Sequence, residues 1–252
     1  YIYNKGDWFK TMAQKRAPRT ESAGTGWNIS TDTYAADVNA VHVDVDDQDR
    51  ANQDAPIIDL DRDATIFVSR DMLLRRELDW ATAYFGTGIW HGANPDQIGG
   101  SADGANAFIQ WDRTSSTPIE DVEAERLKIL RKTGKRPNVL VLGAEVHSIL
   151  KNHSQMLGRI LYTERGIVSD QLLAALFDVE QVLVPTLVQN TAAEGDTDAY
   201  AFVQGKNALL AHSAPSPSRM TPSAGYTFEW TGYIGAADRG VRTKKFRMEA
   251  LN

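Results

Sequence analysis

The residues whose types and spacing could do chemistry lie between Gly134 and Leu150, in the stretch GKRPNVLVLGAEVHSIL. An apolar strand, Val139 to Leu142, meets Gly143, and an amphipathic helix follows. Many enzymes hold a phosphate or a nucleophile on such a strand–glycine–helix unit. Here the phosphate chemistry is missing. One glycine stands at the junction, followed by Ala144 and Glu145, and a carboxylate there repels phosphate while suiting a helix N-terminus. Gly205-Lys206 has no upstream glycine at phosphate-loop spacing. No Gly-x-Ser-x-Gly nucleophile turn occurs, and Gly99-Gly-Ser-Ala-Asp-Gly104 reads as a loop.

The other reactive types are dispersed. Asp44, Asp46, Asp47, Asp49 and Asp54 invite a calcium reading, but the central glycine and final glutamate of a calcium loop are absent, so a solvated loop is favoured. His42, His91, His147, His153 and His212 form no HExxH, and His147 and His153 are out of helical register, so no zinc site is expected. Without cysteine, disulfides, thiolate metal sites and cysteine nucleophiles are excluded. Arg75-Arg76-Glu77 reads as helix-surface ion pairs or as salt bridges to a neighbouring subunit, the latter being preferred.

The elements around these residues suggest contact more than catalysis. The net charge of −6 gives no global nucleic-acid signature. A local basic cluster, Arg239, Arg242, Lys244, Lys245 and Arg247, reads as a solvated strand face. No apolar run approaches the ~20 residues needed to span a bilayer, and no signal peptide is seen. Residues 1–20 mix Tyr1, Tyr3, Trp8 and Phe9 with lysine and arginine, without a period. Residues 21–55 read as a long hairpin, in which Val41, Val43 and Val45 alternate with His42, Asp44 and Asp46 on the return strand. Residues 46–56 form a polar loop. The apolar side chains of this hairpin, Trp27, Tyr34 and Val43 among them, cannot offset the cost of ordering so long a segment. It is therefore expected to be ordered against a neighbouring copy.

Residues 62–85 have the pattern of a long helix ended by Gly86, and 86–107 that of a long loop. Thr117-Pro118-Ile119-Glu120 has capping-box spacing and starts a helix to about Lys132, which Gly134 stops. Ser169 caps a helix from Asp170 to Phe177, and Val182 to Val184 is a strand. Tyr200–Gln204 and Ala208–His212 flank Gly205-Lys-Asn207 as a hairpin. Residues 213–222 are a Pro/Ser linker. Tyr226–Trp230 and Val241–Met248 are expected strands.

Several stretches resemble the major capsid proteins of tailed bacteriophages. They are Thr33-Tyr34, DDQDRANQDAP (46–56), LLRRELDWA (73–81), STPIEDVEAERLKILRKTGKRPNVLVLGAEVHSILKNH (116–153), LLAALFDVEQVLVPTLVQNTAAEG (172–195) and PSAGYTFEW (222–230). Their order and spacing carry the resemblance. It implies an α+β chain of the Hong Kong ninety-seven-like fold. Residues 1–20 would be the N-terminal arm and 21–60 the extended β-hairpin loop. Residues 61–135 and 216–252 would be the peripheral domain with its long spine helix, and 136–215 the axial domain. The implied function is a non-enzymatic subunit that self-assembles into hexamers and pentamers of an icosahedral shell around double-stranded DNA, without sequence-specific DNA binding.

The resemblance further implies scaffolding and portal proteins as partners, with decoration proteins among the candidates. No cofactor, metal or membrane is implied. The location would be the virion, after assembly in the host cytoplasm. An encapsulin-type nanocompartment holding cargo enzymes is the alternative. Candidate inter-subunit contacts are Trp8, Trp27, Tyr34, Val43, Arg75, Arg76 and Glu77. The first residue is Tyr1 and not Met, and relatives often lose an N-terminal scaffolding segment by proteolysis, so an upstream segment, cleaved or disordered, is expected.

Overall fold

In the computed structural model the described residues are 2–3, 9–26, 29–52, 59–90, 95–160, 168–216, 218, 221–230, 232 and 242–246, with backbone alone at 2, 3 and 29. Their centre is a short sheet. Strand β5 (Val139–Leu142) lies between β6 (Gln181–Leu183), which runs parallel to it, and β9 (Ala208–Ala211), which runs antiparallel. A strand paired on both edges and covered by helices should be apolar without alternation. Val-Leu-Val-Leu meets that need, and Leu140, Val141 and Leu142 are buried.

Four helices complete this unit. Helix α3 (Pro118–Thr133) contributes Ile119 and Val122 to the core, although the expected division places it in the peripheral domain. Helices α4 (Ala144–Lys151), α5 (Ser154–Ile160) and α6 (Asp170–Leu176) contribute Leu150, Met156, Ile160 and Leu173, and Phe177 follows α6. The expected helix ends are observed. Gly134 stops α3 in the left-handed conformation at φ 66°, and its N–H bonds to Leu130 O at 2.8 Å. Ser169 Oγ accepts from Leu172 N–H at 3.3 Å to start α6.

The capping box expected at Thr117 does not form. Thr117 makes no side-chain cap bond. Gln155, on α5, takes the role instead. Its Oε1 accepts the Ile119 N–H at 3.1 Å, and its amide nitrogen donates to Glu120, the residue that would have closed the box. Packing of α5 across the start of α3 supplies a better-held acceptor than the local hydroxyl.

Helix α2 (Leu60–Phe85) begins at Asp59, whose Oδ1 accepts from Arg62 N–H at 3.2 Å. At 1.5 Å per residue it runs about 39 Å. Only Ala81 of it is buried. Its C-terminal end carries an aromatic group in which Trp80 meets Tyr84 at 5.2 Å and Phe85 at 5.4 Å between ring centroids. Within the expected loop 86–107, Ile98–Gly100 (β3) pairs in parallel with Ala107–Ile109 (β4).

Several strand expectations are not met among the described residues. The turn at Gly205-Lys-Asn207 does not join a hairpin. Tyr200–Phe202 (β8) pairs with Val188–Asn190 (β7), while β9 leaves for the central sheet, where its apolar Leu209 and Leu210 face β5. The alternating run Val41–Val45 forms no strand, and among the described residues no second strand lies beside it. Within the expected hairpin, Ile29–Ser30 (β2) pairs instead with Ile2–Tyr3 (β1), and Asp47–Ala51 is a short helix (α1) started by Asp46. Residues 226–230 and 242–246 also lack strand pairing, and 241 and 247–248 lie outside the described residues.

The Gly143 junction joins these parts. A Cβ on Gly143 would overlap the Gly205 carbonyl oxygen and lie 3.3 Å from that of Asn207. The Gly143 N–H donates to Asn207 O at 2.9 Å. We expect Gly143→Ala to lower unfolding free energy by about 2–3 kcal/mol in denaturant titrations. Gly158→Ala, in α5 with open space around it, should instead be neutral or raise it by up to about 1 kcal/mol. In the same assay Gln155→Ala should cost about 1–2 kcal/mol and Thr117→Ala less than about 0.5 kcal/mol.

Candidate functional site

The unit that most resembled a ligand site is closed by its own chain. The 205–207 turn sits on Gly143, so the Gly205 and Asn207 carbonyl oxygens occupy the space a phosphate would need. Lys206 reaches Glu145 at 3.6 Å, an exposed pair of small energetic weight. Carbonyls and a carboxylate make this helix start unwelcoming to anions.

A serine–histidine pair that sequence reading missed sits in the core. Ser116 Oγ lies 3.0 Å from His153 Nε2, and both residues are buried. The hydrogen bonds rule out the nucleophile arrangement. Ser116 donates to Arg113 O at 2.7 Å, and His153 Nδ1 accepts from Gln155 N–H at 3.2 Å. A neutral ring then carries its proton on Nε2 and donates it to Ser116, the reverse of base activation. Nothing in the sequence flags the pair, because Ser116 and His153 are brought together only by the packing of α5 on α3.

The remaining titratable contacts are also structural. His147 Nε2 lies 2.7 Å from Asp170 Oδ1, tying α4 to the start of α6. Trp111 Nε1 donates to Asp121 Oδ2 at 2.9 Å. Burial pushes the Asp121 carboxyl above its ordinary value, and the Trp111 bond opposes that shift. Among the described residues no group of three or more His, Asp and Glu side chains converges to hold a metal. No described helix is long and apolar enough to cross a membrane.

What the structure presents is surface. Residues 9–26 and 30–40 are all exposed, and of 41–49 only Val41 and Val45 are partly covered. Phe9, Met12, Tyr34, Val38 and Val43 stand out from this run as exposed large apolar groups. Phe9 leans over Gly134, where it would meet an added Cβ. Tyr34 stacks on Phe228 with centroids 4.5 Å apart and planes at 20°, a contact no local pattern announced. Trp8 and Trp27 lie outside the described residues.

The three charged candidates on α2 part company. Arg75 pairs with Asp79 at 2.9 Å along the helix. Glu77 turns inward and accepts from the side-chain amide of Gln204, a residue just before the 205–207 turn. Gln204 is buried at 1% exposure, and its Oε1 has no partner among the described residues. Arg76 also interacts within the chain. Glu77 thus ties the long helix to the central unit, a role its neighbours in sequence did not suggest.

No protein-family model matches the chain. It is 30% identical over 145 residues to the "Major capsid protein" of Burkholderia phage BcepMu, a match covering 55% of this chain and 46% of that protein. The chain thus spans about half the length of the curated relative it matches. Among solved structures it is similar to a phage-related protein from Bordetella bronchiseptica RB50, with a TM-score of 0.58 and 29% identity. That match covers 71% of this chain and 58% of the other. With its chemistry-bearing residues spent on packing and its apolar groups held outward, this chain is homologous to a phage major capsid protein and shares its fold with a phage-related protein, in agreement with the resemblance read from its residues.

Proposed function

We propose that this chain is the subunit of a self-assembling icosahedral phage shell, built from hexamers and pentamers around double-stranded DNA and without catalytic activity. The observation that carries the proposal is the run 9–49, whose described residues include five exposed large apolar side chains and none in the core. A segment of this kind gains order only by lying on another surface. In a homo-assembly each copy gives its segment to one neighbour and receives one from another, a heterologous contact that closes into rings.

Burying each of these side chains is worth about 1.5–3 kcal/mol. Association costs about 4–15 kcal/mol, so one contact of this size is marginal. Many engaged together hold a closed shell. The spine and arm-and-loop roles of α2, 1–20 and 21–60, and the axial role of 136–215, belong to the same proposal, as do scaffolding and portal partners and a virion location. The nanocompartment reading is not favoured, since both relatives are described as phage proteins.

Electron microscopy after size-exclusion chromatography tests the proposal. Closed polyhedral shells hundreds of ångströms across are expected, and a stable monomer under assembly-permissive conditions would sink the idea. The double variant Trp27→Ala/Val43→Asp should keep the wild-type far-UV circular dichroism spectrum and assemble poorly. Normal assembly of that variant would refute the inter-copy role of the loop.

A further inference from the structure

The exposed run is divided by charge. Between Phe9 and Thr20 its ionisable side chains are Lys10, Lys15, Arg16 and Arg19, with no carboxylate. Between Thr31 and Asp49 the carboxylates are Asp32, Asp37, Asp44, Asp46, Asp47 and Asp49, with His42 among them and no lysine or arginine. Opposite charges so close in sequence would be expected to pair within the chain, yet they do not. Among the described residues no ion pair joins the two segments. Arg16 bonds to the backbone of Thr20, at the end of its own segment. Asp44 has only His42, at 3.9 Å, and Asp47 has Arg50. Both segments are exposed except at the half-buried Val41 and Val45, and each carries exposed apolar groups between its charges: Phe9 and Met12 on one, Tyr34, Val38 and Val43 on the other.

We infer that the basic segment 10–19 of one copy docks along the acidic segment 32–49 of a second copy. The inference rests on the shell reading and specifies which surfaces meet. Complementary charge sets the register and steers the encounter, while the interleaved apolar side chains are buried by it. The division also guards against a wrong pairing, because basic segment against basic segment, or acidic against acidic, repels.

The test is a charge exchange between copies. Variant A carries Lys15→Glu, Arg16→Glu and Arg19→Glu. Variant B carries Asp37→Lys, Asp44→Lys and Asp49→Lys. None of these residues lies in the core, so each variant should keep the wild-type unfolding midpoint. Each alone should lose about tenfold or more in shell yield, the effect of about 1.4 kcal/mol. An equimolar mixture of A and B should recover hexameric rings, in which the two variants alternate and each mismatched segment finds its complement on the neighbouring copy. A chain carrying all six changes should also assemble.

If the six-change chain assembles and the mixture forms no hexamers, the pairing lies within one chain and the inference fails. Assembly of A and B at wild-type yield overturns it while leaving the shell reading intact. Loss of packaged DNA from A at unchanged shell yield would overturn it in favour of a nucleic-acid role for the basic segment. Absence of shells from the wild type itself would remove the shell reading, and this inference with it.

Discussion

The approach of the Gly205–Asn207 backbone to Gly143 is the constraint on which the rest of the molecule depends. It fixes the end of β5, the start of α4 and the point where β9 enters the central sheet. It also sets Gln204 where its amide can reach Glu77, so the long helix is tied to the core through one buried side chain. A side chain at position 143 would force the two backbones apart, and glycine there is the answer to that crowding rather than to a ligand. Gly205 itself stands at φ 54°, a conformation in which glycine carries no Cβ penalty.

Around this joint the chain divides its apolar residues between two uses. Ile119, Val122, Leu140, Ile160, Val168 and Phe177 close with others on one another and leave Leu142, Leu150, Met156 and Leu173 without exposure. Phe9, Met12, Tyr34, Val38 and Val43 before residue 50, and Ile66, Phe67 and Leu73 on α2, face outward. Isolated exposed apolar groups are ordinary on any protein surface. A long succession of them on segments with no core beneath is not, and it agrees with homology to a protein that works in many copies.

Much of the central unit was legible because its signals are local. Apolar Val139–Leu142, the stop at Gly134 and the Ser169 cap each depend on residues within a few positions, and each element is observed. The misreadings share another cause. The Gly205-Lys-Asn207 turn has hairpin chemistry, but strand partners are chosen by burial, and Ala208–Ala211 gains more beside β5 than beside β8. The Val41–Val45 alternation describes a face, and a face does not by itself supply the second strand that a ladder requires. Of the candidate contacts, Tyr34 and Val43 are exposed within this chain, and Glu77 is bonded to Gln204, more than a hundred positions away. No spacing rule reaches so far.

The Gln155 bond to the start of α3 bears on the order of events during synthesis. A helix whose first amides are satisfied by its own preceding residues can form as soon as it leaves the ribosome. Helix α3 has no such local cap, and short isolated helices are marginal in water. Its first turn therefore stays frayed until α5 has emerged and folded back across it. The family-like stretch 116–153 thus ends just short of the residue that completes it, and the smallest cooperative piece of this chain must extend through α5.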